Sequence, residues 1–156
     1  MNDYPEVHLD AFNLLCGERI GYGMTRDVFA SPLLPDCVIK VEKDPRDVFQ
    51  NIFEWQTWEH VKFTDHSRWF AQCKWISPNG RILVMERTRP AAPDEFPELL
   101  PPYLTDLKRS NYGVSMLCDP KTGKPSNAFV CHDYGTNLLL EHGMTKRLRK
   151  AEWRED

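Results

Sequence analysis

Hydrophobic and polar positions follow short runs through the first half of the chain, broken by glycine and proline. Leu14 to Gly21 and Val28 to Ser31 predict two strands, joined by a turn in which Gly21 and Gly23 allow a tight backbone. Cys37 to Val41, an apolar run after Pro35-Asp36, predicts a third strand. From Asp47 to Val61 the period lengthens: Val48, Ile52 and Trp55 fall on one helical stripe, with Pro45 ahead of the helix start. Trp69 to Ile76 and Arg81 to Glu86 predict a hairpin around Ser77-Pro78-Asn79-Gly80. Pro90-Ala91-Ala92-Pro93 then divides the chain into 1–89 and 90–156. Beyond it, four prolines between Pro93 and Pro102 leave room for at most one helical turn. Tyr112 to Leu117 and Ala128 to Asp133 predict a second hairpin, and Met144 to Trp153 a closing helix. The predicted class is α+β: a five-stranded antiparallel sheet with one helix, then a small loop-and-hairpin lobe.

Length and composition narrow this picture. A chain of 156 residues with 41% hydrophobic content supports one modest core, shared at most between two small lobes. A net charge of −3 gives no general attraction to nucleic acid or anionic lipid, and no apolar run approaches a membrane span. Neither nucleic acid nor membrane is expected as a partner. The start of the chain lacks the basic and apolar regions of a signal peptide. Cys16, Cys37, Cys73, Cys118 and Cys131 include no Cys-x-x-Cys pair. Reduced thiols and a cytoplasmic location are the expectation.

The candidate chemistry lies in four segments. Gly21-Tyr22-Gly23 is followed by Val28, then by Lys40 between Val38-Ile39 and Val41. Those apolar flanks predict a buried strand, where an unpaired lysine would be costly. Glu54 and Glu59, both on the predicted helix, compete as its partner. Asp106, Lys108 and Asn111 put a carboxylate, a cation and an amide on one short loop, and Asp133 ends the apolar run of the next hairpin. In that order these are the parts needed to hold a nucleoside triphosphate and metal ions and to move a phosphoryl group.

On these residues the chain resembles the protein-kinase-like fold. Gly21, Gly23 and Val28 match the glycine-rich loop, Lys40 the lysine of the third strand, and Glu54 the glutamate of the first helix. Ile82 to Glu86 looks like the strand entering the hinge, with Met85 in the gatekeeper position. Asp106, Lys108 and Asn111 match the catalytic loop, and Asp133-Tyr134-Gly135 the metal-binding DFG motif. Ser31-Pro32-Leu33-Leu34-Pro35 is similar to a segment of the small early Ser/Thr kinases of lytic coliphages, which would place the protein in host cytoplasm.

The resemblance implies a nucleotide lobe over 1–89, a much reduced second lobe over 90–156, and ATP with Mg2+ as cofactors. Gly21 and Gly23 would let backbone amides approach the phosphates. Lys40, held by Glu54, would contact them, and Asn111 and Asp133 would hold the metal. Asp106 would orient a Ser/Thr hydroxyl, while Lys108 would stabilise the transferred group. The departures are specific. Arg26 replaces the third glycine, Leu104-Thr105 stands where His-Arg would precede the aspartate, and only about twenty residues follow Gly135.

Three functions compete: a phosphotransferase acting on a protein substrate, a pseudoenzyme that binds nucleotide or a host protein, and an inhibitor of a host enzyme. The inhibitor would use the acidic segment Asp94 to Glu98 or the basic tail Lys146 to Lys150. The remaining motifs carry less. Cys118, Cys131 and His132 lack zinc-ligand spacing, and Gly123-Lys124 reads as a turn. Trp55, Trp58, Trp69 and Trp75 read as core and interface. Lys146, Arg147, Arg149 and Lys150 read as a solvated helix face, or as a docking surface for an acidic partner.

Overall fold

The computed structural model describes residues 5–44, 46 and 49–156. Its centre is a five-stranded antiparallel sheet of β1 (Arg19–Tyr22), β2 (Arg26–Ala30), β3 (Cys37–Glu42), β4 (Cys73–Ile76) and β5 (Ile82–Glu86), ordered β1-β2-β3-β5-β4. Helix α1 spans Pro5–Leu15, α2 spans Gln50–Val61 and the short α3 spans Leu139–His142. The predicted first strand is therefore shorter than its pattern implied. Leu14 and Leu15 belong to α1, which meets no helix breaker before Gly17.

Side chains alternate across the sheet, so each strand serves two layers. Ile39 and Val84 pack with Cys16 on one face, beside the end of α1. Val38, Leu83 and Met85 face the main core with Trp58 and Val61 of α2. The register sets Val28 opposite Lys40 and Arg26 opposite Glu42, so the α2 side of the sheet carries charge as well as apolar surface.

That charge determines how α2 sits. Its buried residues are Asn51, Glu54, Thr57, Trp58 and Val61, whereas Ile52 of the predicted stripe is exposed and Trp55 is half-buried. Val48 and the proposed start at Asp47 lie outside the described residues. The predicted stripe was out of phase because polar residues of α2 find charged partners on the sheet, and they take the inward positions. Trp58 is core; Trp69 is half-buried, and Trp75 is exposed on the edge strand β4.

The rest of the chain packs beneath. Strands β6 (Thr88–Arg89), β8 (Tyr112–Ser115) and β9 (Phe129–Cys131) form a second sheet, ordered β6-β8-β9. β6 and β8 lie so close at Gly113 that a Cβ there would stand 2.6 Å from Thr88 Oγ1 and 2.7 Å from the Arg89 carbonyl oxygen. Met144 to Trp153 is not a helix. Within it β10 (Arg149–Lys150) pairs antiparallel with β7 (Leu99–Leu100), and Ala151 and Trp153 turn inward at a period of two. The Trp153 ring lies 4.9–5.7 Å from those of Tyr112, Phe96 and Phe129. An available strand partner and an aromatic pocket thus override the local helical pattern. The five cysteines are free thiols, and among the described residues no helix is long and apolar enough to cross a membrane.

Candidate active site

Strand β3 points Lys40 at α2, where Glu54 waits on the buried face. Lys40 Nζ donates to both Glu54 oxygens at 2.9 and 3.1 Å and to the His132 carbonyl at 2.5 Å. Glu54, not Glu59, is the partner; Glu59 pairs with Lys62 at 2.8 Å on the surface. The Glu54 carboxylate also accepts the Tyr134 backbone N–H at 3.0 Å. Segments 14 and 80 residues apart from Glu54 therefore meet on one buried carboxylate.

A second cation completes the cluster. Arg26 donates to both Glu54 oxygens at 2.8 and 3.0 Å, to Asn51 Oδ1 at 3.0 Å and to Asp133 Oδ1 at 3.0 Å. The sequence marked Arg26 only as a replaced glycine; its strand register, opposite Glu42, shows that it lies on the inner face. Burial alone would raise the Glu54 pKa, but the charges of Arg26 and Lys40 overcome it and hold the group at about 2. Glu42 differs. Burial raises its pKa despite an N–H from Asn51 at 2.8 Å, and its second oxygen has no partner among the described residues.

The β8–β9 pairing brings the two loop motifs together. His132 N–H donates to the Asn111 carbonyl at 2.9 Å, and the His132 ring bonds the Ser110 carbonyl at 2.7 Å and the Thr88 hydroxyl at 2.8 Å. Burial and the nearby Lys40 charge lower the His132 pKa, so the neutral ring serves as a fixed connector. Sequence spacing marked His132 only as a weak zinc candidate. Asn111 Nδ2 in turn donates to Asp106 Oδ2 at 3.0 Å and to its carbonyl at 3.2 Å. Asp106, Asn111, His132 and Lys40 thus form a continuous series of contacts, with the half-exposed Asp133 carboxylate beside it.

The other predicted residues hold varied positions. Gly21 lies in β1 opposite Val28, and Gly23 opens the β1–β2 turn, where its N–H bonds the Arg26 carbonyl at 2.8 Å. A Cβ at Gly21 would come no closer than 3.5 Å to Val28, and one at Gly23 no closer than 3.8 Å to any atom. Neither glycine has positive φ, so the turn does not require them, contrary to the expectation of a glycine-dependent tight backbone. Val28 is half-buried on the inner face, and Met85 is fully enclosed in the core. Glu86 turns its side chain inward, accepting from Gln72 N at 2.9 Å and from the Ser115 hydroxyl at 2.8 Å, and burial raises its pKa. It ties the two sheets together. Lys108 is exposed on the loop beside Asp106, and the Asp106 carboxylate also accepts from Arg154 at 2.6 Å.

Asp133 and Asn111 each carry an oxygen donor of the hard kind that magnesium takes, and Asp133 Oδ1 accepts from Arg26 at 3.0 Å. Comparison with protein-family models, curated proteins and solved structures finds no match.

Proposed function

We propose that this protein is a minimal protein-kinase-like phosphotransferase that binds ATP with magnesium and transfers a phosphoryl group to a Ser or Thr hydroxyl of a protein. The observation that carries the reading is the convergence on Glu54 of Lys40 from β3 and the Tyr134 amide, one residue after Asp133. Three segments read separately as parts of a phosphate-handling site supply one cluster.

Lys40 is oriented by a carboxylate that stays ionised at physiological pH, and its ammonium would meet phosphate oxygens by exchanging its contact with the His132 carbonyl. Asn111 and Asp133 would hold the metal ion, which when bound neutralises charge on the phosphates. Asp106 orients the acceptor hydroxyl and takes its proton, and Lys108 offers a cation beside it. Gly21 and Gly23 are compatible with the same reading, because glycine stands there without any steric need of the fold.

A specific observation favours a second reading, a kinase-fold pseudoenzyme that binds nucleotide or a host protein. Asp133 is engaged by Arg26 and Asp106 by Arg154, so the chain's own cations occupy both working carboxylates. Thermal unfolding with ATP and magnesium, beside transfer of labelled phosphate to a host-cell lysate, separates the two. The enzyme reading expects stabilisation by ATP, weak stabilisation by AMP, and labelled protein. Stabilisation without transfer leaves the pseudoenzyme, and no shift at millimolar ATP removes nucleotide from both.

A further inference from the structure

The end of the chain is built into the loop that carries Asp106. Arg154 N–H donates to the Leu107 carbonyl at 2.9 Å, and the Arg154 carbonyl accepts from Arg109 N–H at 3.0 Å. On one side of this clamp, Ser110 Oγ donates to Asp156 at 2.6 Å and Arg109 pairs with Glu155 at 2.8 Å. On the other side, the Trp153 indole donates to the Pro97 carbonyl at 3.0 Å, and Ala151 N–H to the Glu98 carbonyl at 2.8 Å. The backbone of Arg154 is therefore fixed against the residues on either side of Lys108. Its guanidinium reaches Asp106 Oδ1 at 2.6 Å while Asn111 holds Oδ2 at 3.0 Å.

We propose that Arg154 is a positioning residue for Asp106: it fixes the carboxylate in the orientation from which it meets the acceptor hydroxyl. The inference rests on the phosphotransferase reading above. Two observations favour orientation over stability. The pair is solvent-exposed, with 59% of the Arg154 side chain and 39% of the Asp106 side chain accessible, and exposed ion pairs stabilise folds little. Yet both the N–H and the carbonyl of Arg154 are hydrogen-bonded to the Asp106 loop, which places the guanidinium more firmly than a surface pair needs. Asp106 sits on a loop, where a carboxylate held at one oxygen still rotates about its side-chain bonds. Held at both, it presents one direction.

The test uses the full-length protein and compares wild type with Arg154→Ala and Arg154→Lys. Readouts are ATP-dependent transfer, nucleotide-induced thermal shift and unfolding midpoint. The expected result for Arg154→Ala is an unchanged midpoint, a KM for ATP within about twofold, and kcat lower by about 10- to 100-fold, as misplacement of a reacting group produces. Arg154→Lys should recover part of kcat, and added guanidinium should raise transfer by Arg154→Ala but not by wild type. Unchanged or increased transfer by Arg154→Ala overturns the proposal, increased transfer showing that the pair is a brake. A loss that neither lysine nor guanidinium relieves also overturns it. Absence of transfer by wild type overturns the phosphotransferase reading itself, and this proposal with it.

Discussion

Arg26 and Glu54 meet through hydrogen bonds of 2.8 and 3.0 Å, and the same guanidinium reaches Asp133 at 3.0 Å. One buried cation thus spans the carboxylate that orients Lys40 and the carboxylate proposed to hold metal. Removing a member of such a cluster costs according to what it leaves unpaired. Arg26→Ala leaves Glu54 with Lys40 and should lower stability by about 3 kcal/mol. Glu54→Ala leaves both Arg26 and Lys40 without their carboxylate and should cost about 5 kcal/mol. Urea unfolding of the two variants checks the order; equal or reversed costs would show that Arg26, not Glu54, organises the cluster.

The same geometry separates nucleotide binding from transfer. Lys40→Met and Asp133→Asn should each remove most of the thermal shift given by ATP and magnesium, since both groups face phosphate or metal in the proposed function. Asp106→Asn should keep that shift and lose phosphate transfer, because its carboxylate acts on the acceptor hydroxyl. Loss of ATP binding in Asp106→Asn would place that residue in the nucleotide site instead.

Two glycines make a contrasting pair. Gly113→Ala forces a Cβ to within 2.7 Å of the Arg89 carbonyl oxygen, so strands β6 and β8 must separate. A cost of about 1–3 kcal/mol is expected, read as a lower unfolding midpoint. At Gly21 the nearest atom is 3.5 Å away in ordinary contact, and stability should stay within about 0.5 kcal/mol after Gly21→Ala. Weakened ATP binding in that stable variant would tie the glycine to the ligand. Unchanged binding would make it an ordinary turn residue.

The buried carboxylates give opposite pH dependences. Glu54 has its pKa lowered from 4.5 to about 2, so the folded state binds fewer protons than the unfolded chain, and stability should fall as pH drops through that window. Glu42, raised above 4.5 by burial, contributes in the opposite sense: its share favours acid and is lost as pH rises through the raised value. Glu42→Gln removes that share. Relative to wild type, the variant should therefore gain stability as pH rises above the ordinary carboxylate range. A relative loss over the same range would mean that the ionised Glu42 is stabilised by Arg26.

Much of the upper sheet was legible in the sequence. Strands β3 and β5, the turn at Ser77 to Gly80 and the burial of Lys40 follow from short apolar runs with clear breaks, a signal carried by neighbouring residues alone. The β8–β9 hairpin was legible for the same reason, and with it the approach of Asn111 to the Asp133 segment. What local pattern could not supply was the rotation of α2 and the path of the tail. Hydrophobic periodicity records where apolar surface is hidden, and α2 hides Asn51 and Glu54 because Arg26 and Lys40 arrive from strands distant in sequence. The segment Arg149 to Arg154 is extended because Leu99–Leu100 offers it a strand partner and Phe96, Tyr112 and Phe129 receive Trp153. Asp106 and Arg154 are 48 residues apart in the chain, and the strand pairing together with the backbone bonds of Arg154 to Leu107 and Arg109 brings them to 2.6 Å. The sequence alone determined which charged groups the protein has and the order in which they occur. Tertiary structure decided which of them are paired, because a charge is buried or held only where its partner is brought to it.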